Sequence, residues 1–231
     1  MTTNNFNIEE YLNNLSECVV MIDLRYKQLT YIPSLERFTL LQSLNCSNNQ
    51  LTSLPHLNNK LQSLNCSNNQ LTSLPQLNEN LLSLNCFENK LTSLPQLNKN
   101  LQSLNCSNNQ LTILPQLNEN LEQLFCSNNQ LTILPQLNKK LLSIYCSNNK
   151  LTSLPQFNAI LVELYCSNNQ LTIIPDLNEC LHTLHCNNNK LTSLPDLNNG
   201  VSKSFEYNNI NIVVSQLKEM VSHLFPHATL T

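Results

Sequence analysis

The chain has 231 residues, a formal net charge of −3 and only 12 lysine and arginine residues, which are spread along the chain with no run longer than two. It therefore lacks the basic stripe with which proteins bind nucleic acid or anionic lipid. No apolar run approaches the about 20 residues of a membrane span, and the first ten residues lack the basic and apolar order of a secretory signal. We expect a soluble, cytoplasmic protein with neither nucleic-acid nor membrane partners.

The first predicted element is a short amphipathic helix over residues 6–17. Its apolar residues fall close to helical spacing, and they are Phe6, Ile8, Tyr11, Leu12 and Leu15. An alternative is that this helix binds a partner. Repeat arrays expose sheet edges and core at their ends, so a capping role is favoured, and we assign residues 1–18 to an N-terminal helical cap.

Eight consecutive segments of twenty residues, over 41–200, are nearly identical. Self-similarity at one fixed period predicts a solenoid in which each segment forms one coil. Numbered from its first leucine, each coil has apolar residues at positions one, four, six, eleven, fourteen and seventeen, with asparagine at nine and proline at fifteen. Because these residues recur in strict register, the 41 asparagines of the chain do not indicate disorder.

Each coil is predicted to contain one short parallel strand. In the coil that begins at Leu101, alternation over Ser103 to Asn105 turns Leu104 and Cys106 inward. The return leg is expected to be extended, because Pro115 fits neither a helix interior nor a central strand.

Two side-chain ladders are expected along the coils. One is formed by eight cysteines at position six, where buried free thiols are favoured over disulfides or metal ligands; they are Cys46, Cys66, Cys86, Cys106, Cys126, Cys146, Cys166 and Cys186. Cys18 and Cys180 lie outside it and could be partly exposed. The other ladder is formed by the position-nine asparagines, whose amides would satisfy turn peptides between coils; they run from Asn49 to Asn189.

The ends of the array diverge from the repeat. Residues 19–40 are predicted to form a diverged first coil, and residues 201–212 a last coil that departs further from the repeat. The repeats therefore span 19–212. Residues 213–231 are assigned to a C-terminal helical cap, with a closing helix that stops at Pro226.

The motif Leu-x-x-Leu-x-Cys-x-x-Asn-x-Leu-Thr-x-Leu-Pro resembles the leucine-rich repeat. Its short unit is most similar to bacterial effectors of the YopM and IpaH type, and its near-identical, asparagine-rich copies resemble leucine-rich repeat proteins of giant amoeba viruses. This resemblance implies an α/β horseshoe solenoid with a parallel sheet on the concave face, an extended convex side and short helical caps. Position eighteen is asparagine, as in Asn118, where the effector subtype usually has a second proline, so a less stiff return leg is expected.

The outward positions of the predicted sheet are three, five, seven and eight. Apart from Phe87 and Glu88, they are uniform through residue 120. Position five then changes from asparagine to an aromatic stripe, which consists of Phe125, Tyr145, Tyr165 and His185. The accompanying changes are Gln123 and Glu163 at position three and Glu122 and His182 at position two, while Phe87 at position seven is a separate and weaker candidate. The stripe is either a partner-binding surface or a stack of rings that stiffens the sheet, and both interpretations stay open.

No catalytic signature accompanies the repeats. The five histidines have no nucleophile, paired carboxylates or phosphate loop near them in the sequence, so neither an enzyme nor a cofactor or metal site is expected. The catalytic Cys-x-Asp of the IpaH ligases is missing as well. The favoured function is a scaffold that binds a protein partner, which could be a host protein in the host cytoplasm. The alternatives are a structural spacer and the substrate-recognition part of a ubiquitin ligase-like system that acts with another chain, and the oligomeric state is left open.

Overall fold

The computed structural model of the chain describes residues 6–193, which form one helix followed by nine strands. The elements are α1 (Ile8–Asn13), β1 (Met21–Asp23), β2 (Ser43–Asn45), β3 (Ser63–Asn65), β4 (Ser83–Asn85), β5 (Ser103–Asn105), β6 (Gln123–Phe125), β7 (Ser143–Tyr145), β8 (Glu163–Tyr165) and β9 (Thr183–His185). Each strand pairs in parallel with the next strand of the chain. The predicted parallel solenoid with little helix is therefore confirmed. Within 6–193, no helix has the length and apolar character needed to cross a membrane.

The strands pair in the register of the repeat. Leu44 lies opposite Leu64, twenty residues later, whereas Ile22 of β1 lies opposite Leu44, so the first coil is two residues longer. Hydrogen bonds between coils continue beyond the three-residue strands, as the 2.8 Å bond from the Cys46 amide to the Asn65 carbonyl shows. The predicted strand over Ser103 to Asn105 is confirmed as β5.

The core is a continuous column of side chains from the same repeat positions. Leu101, Leu104, Cys106 and Leu111 are each 0% exposed, and the same positions are buried in the neighbouring coils. Each coil thus packs only against its neighbours, as expected of a solenoid. Between residues 41 and 193 the return legs contain no helix, in agreement with the effect expected of proline.

All eight cysteines of the ladder lie in this core. They are at most 3% exposed, and all ten cysteines of the chain are free thiols. Cys18 and Cys180 are exposed. Burial raises the pKa of the ladder thiols, to about 12 for Cys106 and to about 11 for Cys186, because the thiolate would be desolvated there.

The position-nine asparagines form the predicted second ladder. The amide nitrogen of Asn109 donates to the carbonyls of Cys86 and Cys106 at 3.0 and 3.1 Å. Its amide oxygen accepts a 3.0 Å hydrogen bond from the Leu91 amide. The amide nitrogen also donates to the Ser107 carbonyl at 3.2 Å, so this one buried side chain satisfies four backbone groups.

A third ladder was not predicted. The side chain of Asn138, at position eighteen, donates to the carbonyls of Asn118 and Leu121 at 2.6 and 2.9 Å. Asn158 makes the equivalent pair of bonds. Asparagine at the position of the second proline therefore links the return legs of adjacent coils through hydrogen bonds.

Helix α1 is shorter than the predicted range of 6–17. Asn7 caps its first turn by accepting a 3.2 Å hydrogen bond from the Glu10 amide, and Asn14 ends it. Ile8 and Leu12 are buried against the first coil. The predicted last coil at 201–212 and cap at 213–231 lie outside the described residues, and the division of the chain into caps and array stays a prediction.

Candidate functional site

The aromatic stripe lies on four adjacent strands, β6 to β9, where each ring stands opposite the next across the sheet. The ring centroids of Phe125 and Tyr145 are 4.7 Å apart with planes tilted by 31°. Tyr145 stacks on Tyr165 at 4.3 Å and Tyr165 on His185 at 4.5 Å, both with interplanar angles of 11°. The four rings therefore form one column, which the pairing of parallel strands about 4.8 Å apart makes possible.

Stacking leaves the rings half-buried, not fully exposed. Each ring covers part of its neighbour. The contacts predicted by the stiffening interpretation are thus present, and part of each ring stays accessible on the outside of the sheet.

Glu163 is attached to the stripe by hydrogen bonds. Its Oε2 atom accepts from the hydroxyl of Tyr145 at 2.8 Å and from the hydroxyl of Ser143 at 3.1 Å. The pKa of Tyr145 is raised, first because the ring is partly desolvated and then because the phenolate would lie beside the Glu163 carboxylate. The hydroxyl therefore stays a donor at neutral pH.

In the uniform coils, the asparagine at position five accepts a backbone hydrogen bond that the aromatic residues of the stripe do not accept. Asn45, Asn65, Asn85 and Asn105 each accept a 3.1 Å hydrogen bond from the amide of position seven. In the next three coils that amide belongs to Ser127, Ser147 and Ser167, and within the described residues no side chain accepts from it. Aromatic residues at position five thus replace a local hydrogen bond with ring contacts.

The other predicted residues lie around the stripe. Gln123 is exposed on β6 and accepts a 3.2 Å hydrogen bond from the hydroxyl of Ser103. Glu122 and His182 are exposed at position two, just before their strands. The role of these three residues in binding stays a prediction.

Phe87 is not part of the column. It is half-buried after β4, at position seven, and its neighbour Glu88 has a φ of 52° where other coils have asparagine, such as Asn108 with a φ of 55°. This left-handed conformation costs most residues about 1 kcal/mol, and asparagine tolerates it best after glycine. The repeated Asn-Asn marks this turn in the sequence, but the left-handed conformation of its first residue was not predicted.

One expectation about the outward positions was wrong. Position seven is not generally outward, because Ser47 and Ser67 are 2% and 6% exposed. The hydroxyl of each donates a 2.8 Å hydrogen bond to the asparagine at position five of the same coil, so the side chain is turned away from the solvent. The sheet face therefore consists of positions two, three and five, with position eight at its edge.

Two other features of the described residues lie apart from the stripe. A groove of about 880 Å³ lies at the opposite end of the array, between α1 and residues 26–31, and Phe6, Tyr11 and Tyr31 are among its lining residues. Within 6–193, no three histidine, cysteine, aspartate or glutamate side chains are grouped so that they could hold a metal ion. The sequence did not indicate the groove.

Comparison with known proteins identifies the repeat. The family profile described as Leucine Rich Repeat matches residues 60–79 and 100–119. The structure of YopM from Yersinia enterocolitica is 33% identical, with a TM-score of 0.81 over 84% of this chain and 43% of that chain. This chain is a leucine-rich repeat protein of the bacterial type, and it resembles YopM.

YopM from Yersinia pestis is also similar to this leucine-rich repeat protein, at 32% identity and a TM-score of 0.79, over 90% of this chain and 62% of that chain. The chain thus spans less than two thirds of either YopM structure. The functional domain of InlJ from Listeria monocytogenes, which includes a cysteine ladder, is 29% identical with a TM-score of 0.62, over 77% of this chain and 43% of that chain. No curated protein sequence matches the chain significantly.

Proposed function

We propose that this leucine-rich repeat protein is a non-catalytic scaffold that binds a protein partner through its sheet face, with the aromatic stripe at the centre of the contact. The fold is typical of protein-interaction scaffolds and effectors. Aromatic side chains bury much area with little loss of rotamer freedom, which is why they are frequent in binding hot spots.

The observation that carries this proposal is the exchange at position five. Asparagine there contributes a local hydrogen bond worth about 0.5–1.5 kcal/mol. A stacked aromatic pair contributes about the same amount beyond its buried area. Since these contributions nearly cancel, stacking alone is a weak reason for the absence of asparagine from position five of four consecutive coils. A contact outside the chain supplies a stronger one.

A spacer function is supported for one part of the array only. Coils 41–60 and 61–80 differ at a few positions, and their outward positions two, three and five are the same residues. Such uniformity fits a segment that extends the solenoid without recognising anything. We assign recognition to residues 121–190 and spacing to the coils before them.

We further propose a cytoplasmic location, in the producing cell or in a host cell. The support for it is ten free thiols, since disulfides form readily in oxidising compartments and cytoplasmic thiols stay reduced.

The experiment is affinity capture with a matched pair of triple variants. In the first, Phe125, Tyr145 and Tyr165 are all replaced by asparagine, which is the native residue at position five of the uniform coils. In the control, Ile113, Ile133 and Ile173 are replaced by serine, the usual residue at position thirteen. These isoleucines are also exposed, at 60%, 56% and 59%, but they lie on the return leg.

We expect a protein bound by the wild type to be retained by the isoleucine variant and lost by the stripe variant. Circular dichroism and thermal unfolding establish that both variants are folded. Equal capture by the wild type and the stripe variant would remove the stripe from the proposed function.

A further inference from the structure

Charged residues are segregated in the regular coils. Seven lysines and no arginine occur between residues 41 and 193, and each lysine is at position ten, nineteen or twenty. None of these positions belongs to the sheet face. The carboxylates at positions two, three and eight are Glu88, Glu122 and Glu163, so in the described regular coils the sheet face has acidic residues and lacks lysine and arginine.

Hydrogen bonds hold several of the lysines away from the sheet face. The ammonium groups of Lys90 and Lys150 lie 3.2 and 3.1 Å from the side-chain oxygens of Gln70 and Gln130, one coil earlier in the same row. Lys140 donates to the side-chain oxygen of Asn120 at 2.7 Å. The lysines are therefore kept away from the sheet face by their hydrogen bonds as well as by their positions in the repeat.

One end of the stripe adjoins a coil that has no aromatic ring at position five. Phe125 stacks on Tyr145 on one side, and on the other side its strand neighbour is Asn105, which is not aromatic. The column of rings stops there. A guanidinium or ammonium group on the free face of a ring is attracted by its π electrons.

Glu163 adds a fixed negative charge beside the rings. Two hydroxyls orient its Oε2 atom, and a carboxylate has lone pairs left for further donors. Arginine combines both kinds of contact, since its planar group stacks on aromatic rings and pairs with carboxylates. Because Glu122 lies before β6, near the Phe125 end, negative charge is present at that end as well as beside Tyr145 in the middle of the stripe.

We propose that the partner presents a positively charged, arginine- or lysine-rich protein segment to the aromatic stripe. This inference rests on the proposed function and specifies the partner's chemistry. The aromatic rings supply the buried contact area, and the carboxylates select for cationic side chains over anionic ones.

The test is a fluorescence anisotropy titration with three labelled peptides of equal length, in which arginine, lysine or glutamate alternates with serine. The proteins are the wild type, the double variant Glu122→Gln with Glu163→Gln, and the stripe variant with three asparagines. The control double variant is Glu79→Gln with Asp176→Asn, which removes two exposed charges from the return legs.

We expect saturable binding of the arginine and lysine peptides, weakened by added salt, and no binding of the glutamate peptide. The Glu122/Glu163 variant should bind the arginine peptide about fivefold more weakly, as expected when exposed ion pairs are removed. The control double variant should bind like the wild type. Failure of the cationic peptides to bind, or equal binding by the wild type and the Glu122/Glu163 variant, would overturn the inference.

The two proposals fail in different ways. If a captured partner is lost with the stripe variant but kept with the Glu122/Glu163 variant at all salt concentrations, the stripe binds a partner that is not cationic. If the stripe variant keeps both the partner and the arginine peptide, the proposed function itself is wrong.

Discussion

The hydroxyl of Tyr145 donates a 2.8 Å hydrogen bond to Glu163 Oε2, which joins β7 to β8 on the outside of the sheet. The bond orients the ring and the carboxylate at once, within the surface that we propose for binding. A double-mutant cycle with Tyr145→Phe and Glu163→Ala should give a coupling free energy of about 1 kcal/mol in urea unfolding. Additive effects of the two substitutions would show that the bond contributes nothing in solution.

Thiol labelling tests the cysteine ladder. The native protein should react with a thiol reagent at Cys18 and Cys180 only, and the unfolded protein at all ten cysteines. Rapid labelling of more than two thiols under native conditions would place the ladder outside the core.

The same ladder predicts that the protein is unstable at alkaline pH. Burial raises the pKa of ladder thiols such as Cys46 from 9.0 to about 12, so above pH 9 the unfolded chain binds fewer protons than the folded chain. Stability therefore falls as the pH rises, by about 1.4 kcal/mol per pH unit for each thiol. Because domains are stable by about 5–15 kcal/mol, eight such thiols should unfold the protein within one or two pH units above pH 9.

Urea unfolding between pH 7 and pH 10.5 measures this dependence. Replacing Cys66, Cys86, Cys126 and Cys166 by alanine should lower the slope of stability against pH by about half, whatever the variant's stability at pH 7. An unchanged slope in this variant would show that other groups cause the alkaline instability.

The position-nine ladder should be costly to interrupt. Asn109→Ala leaves the carbonyls of Cys86 and Cys106 and the amide of Leu91 without their partner, which should lower the free energy of unfolding by about 3 kcal/mol or more. Asn120→Ala is the control, because Asn120 makes an exposed 2.8 Å bond to the Lys99 carbonyl. Its loss should cost less than about 1 kcal/mol. Equal costs in urea unfolding would argue against a ladder function.

Glu88 offers a stabilising substitution. Its φ of 52° is one that asparagine adopts in the equivalent turns, so Glu88→Asn should raise the free energy of unfolding by about 1 kcal/mol. The reverse change, Asn108→Glu, should lower it by a similar amount. A Glu88→Asn variant that is less stable than the wild type would mean that Glu88 makes a favourable contact that outweighs its backbone conformation.

Much of the fold follows from the periodicity of the sequence, because every coil has the same local pattern of apolar and polar residues. The strand over Ser103 to Asn105 and the buried position of Cys106 needed only the alternation of apolar and polar residues. The ladder of Asn109 followed from the need to satisfy turn peptides. Each of these depends on local pattern and on one stacking rule.

The features that were missed depend on geometry between coils. The bond from Asn138 to the Asn118 carbonyl joins residues twenty positions apart, and no local pattern distinguishes it from a solvated asparagine. Ser47 is buried because its hydroxyl turns toward Asn45, which is a matter of side-chain rotamer. The stacking of Tyr145 on Tyr165 likewise depends on rotamers, so the sequence placed the rings in one row but left their contacts open.

Site-specific photo-crosslinking tests the proposed binding surface most directly. A photoreactive phenylalanine analogue at Tyr145 is compared with the same analogue at Asn65, which has the same position in a uniform coil. In an extract of cells that express the chain, we predict a protein crosslink from position 145 and little or none from position 65. Equal yields at the two positions, or a crosslink from position 65 alone, would contradict binding at the aromatic stripe.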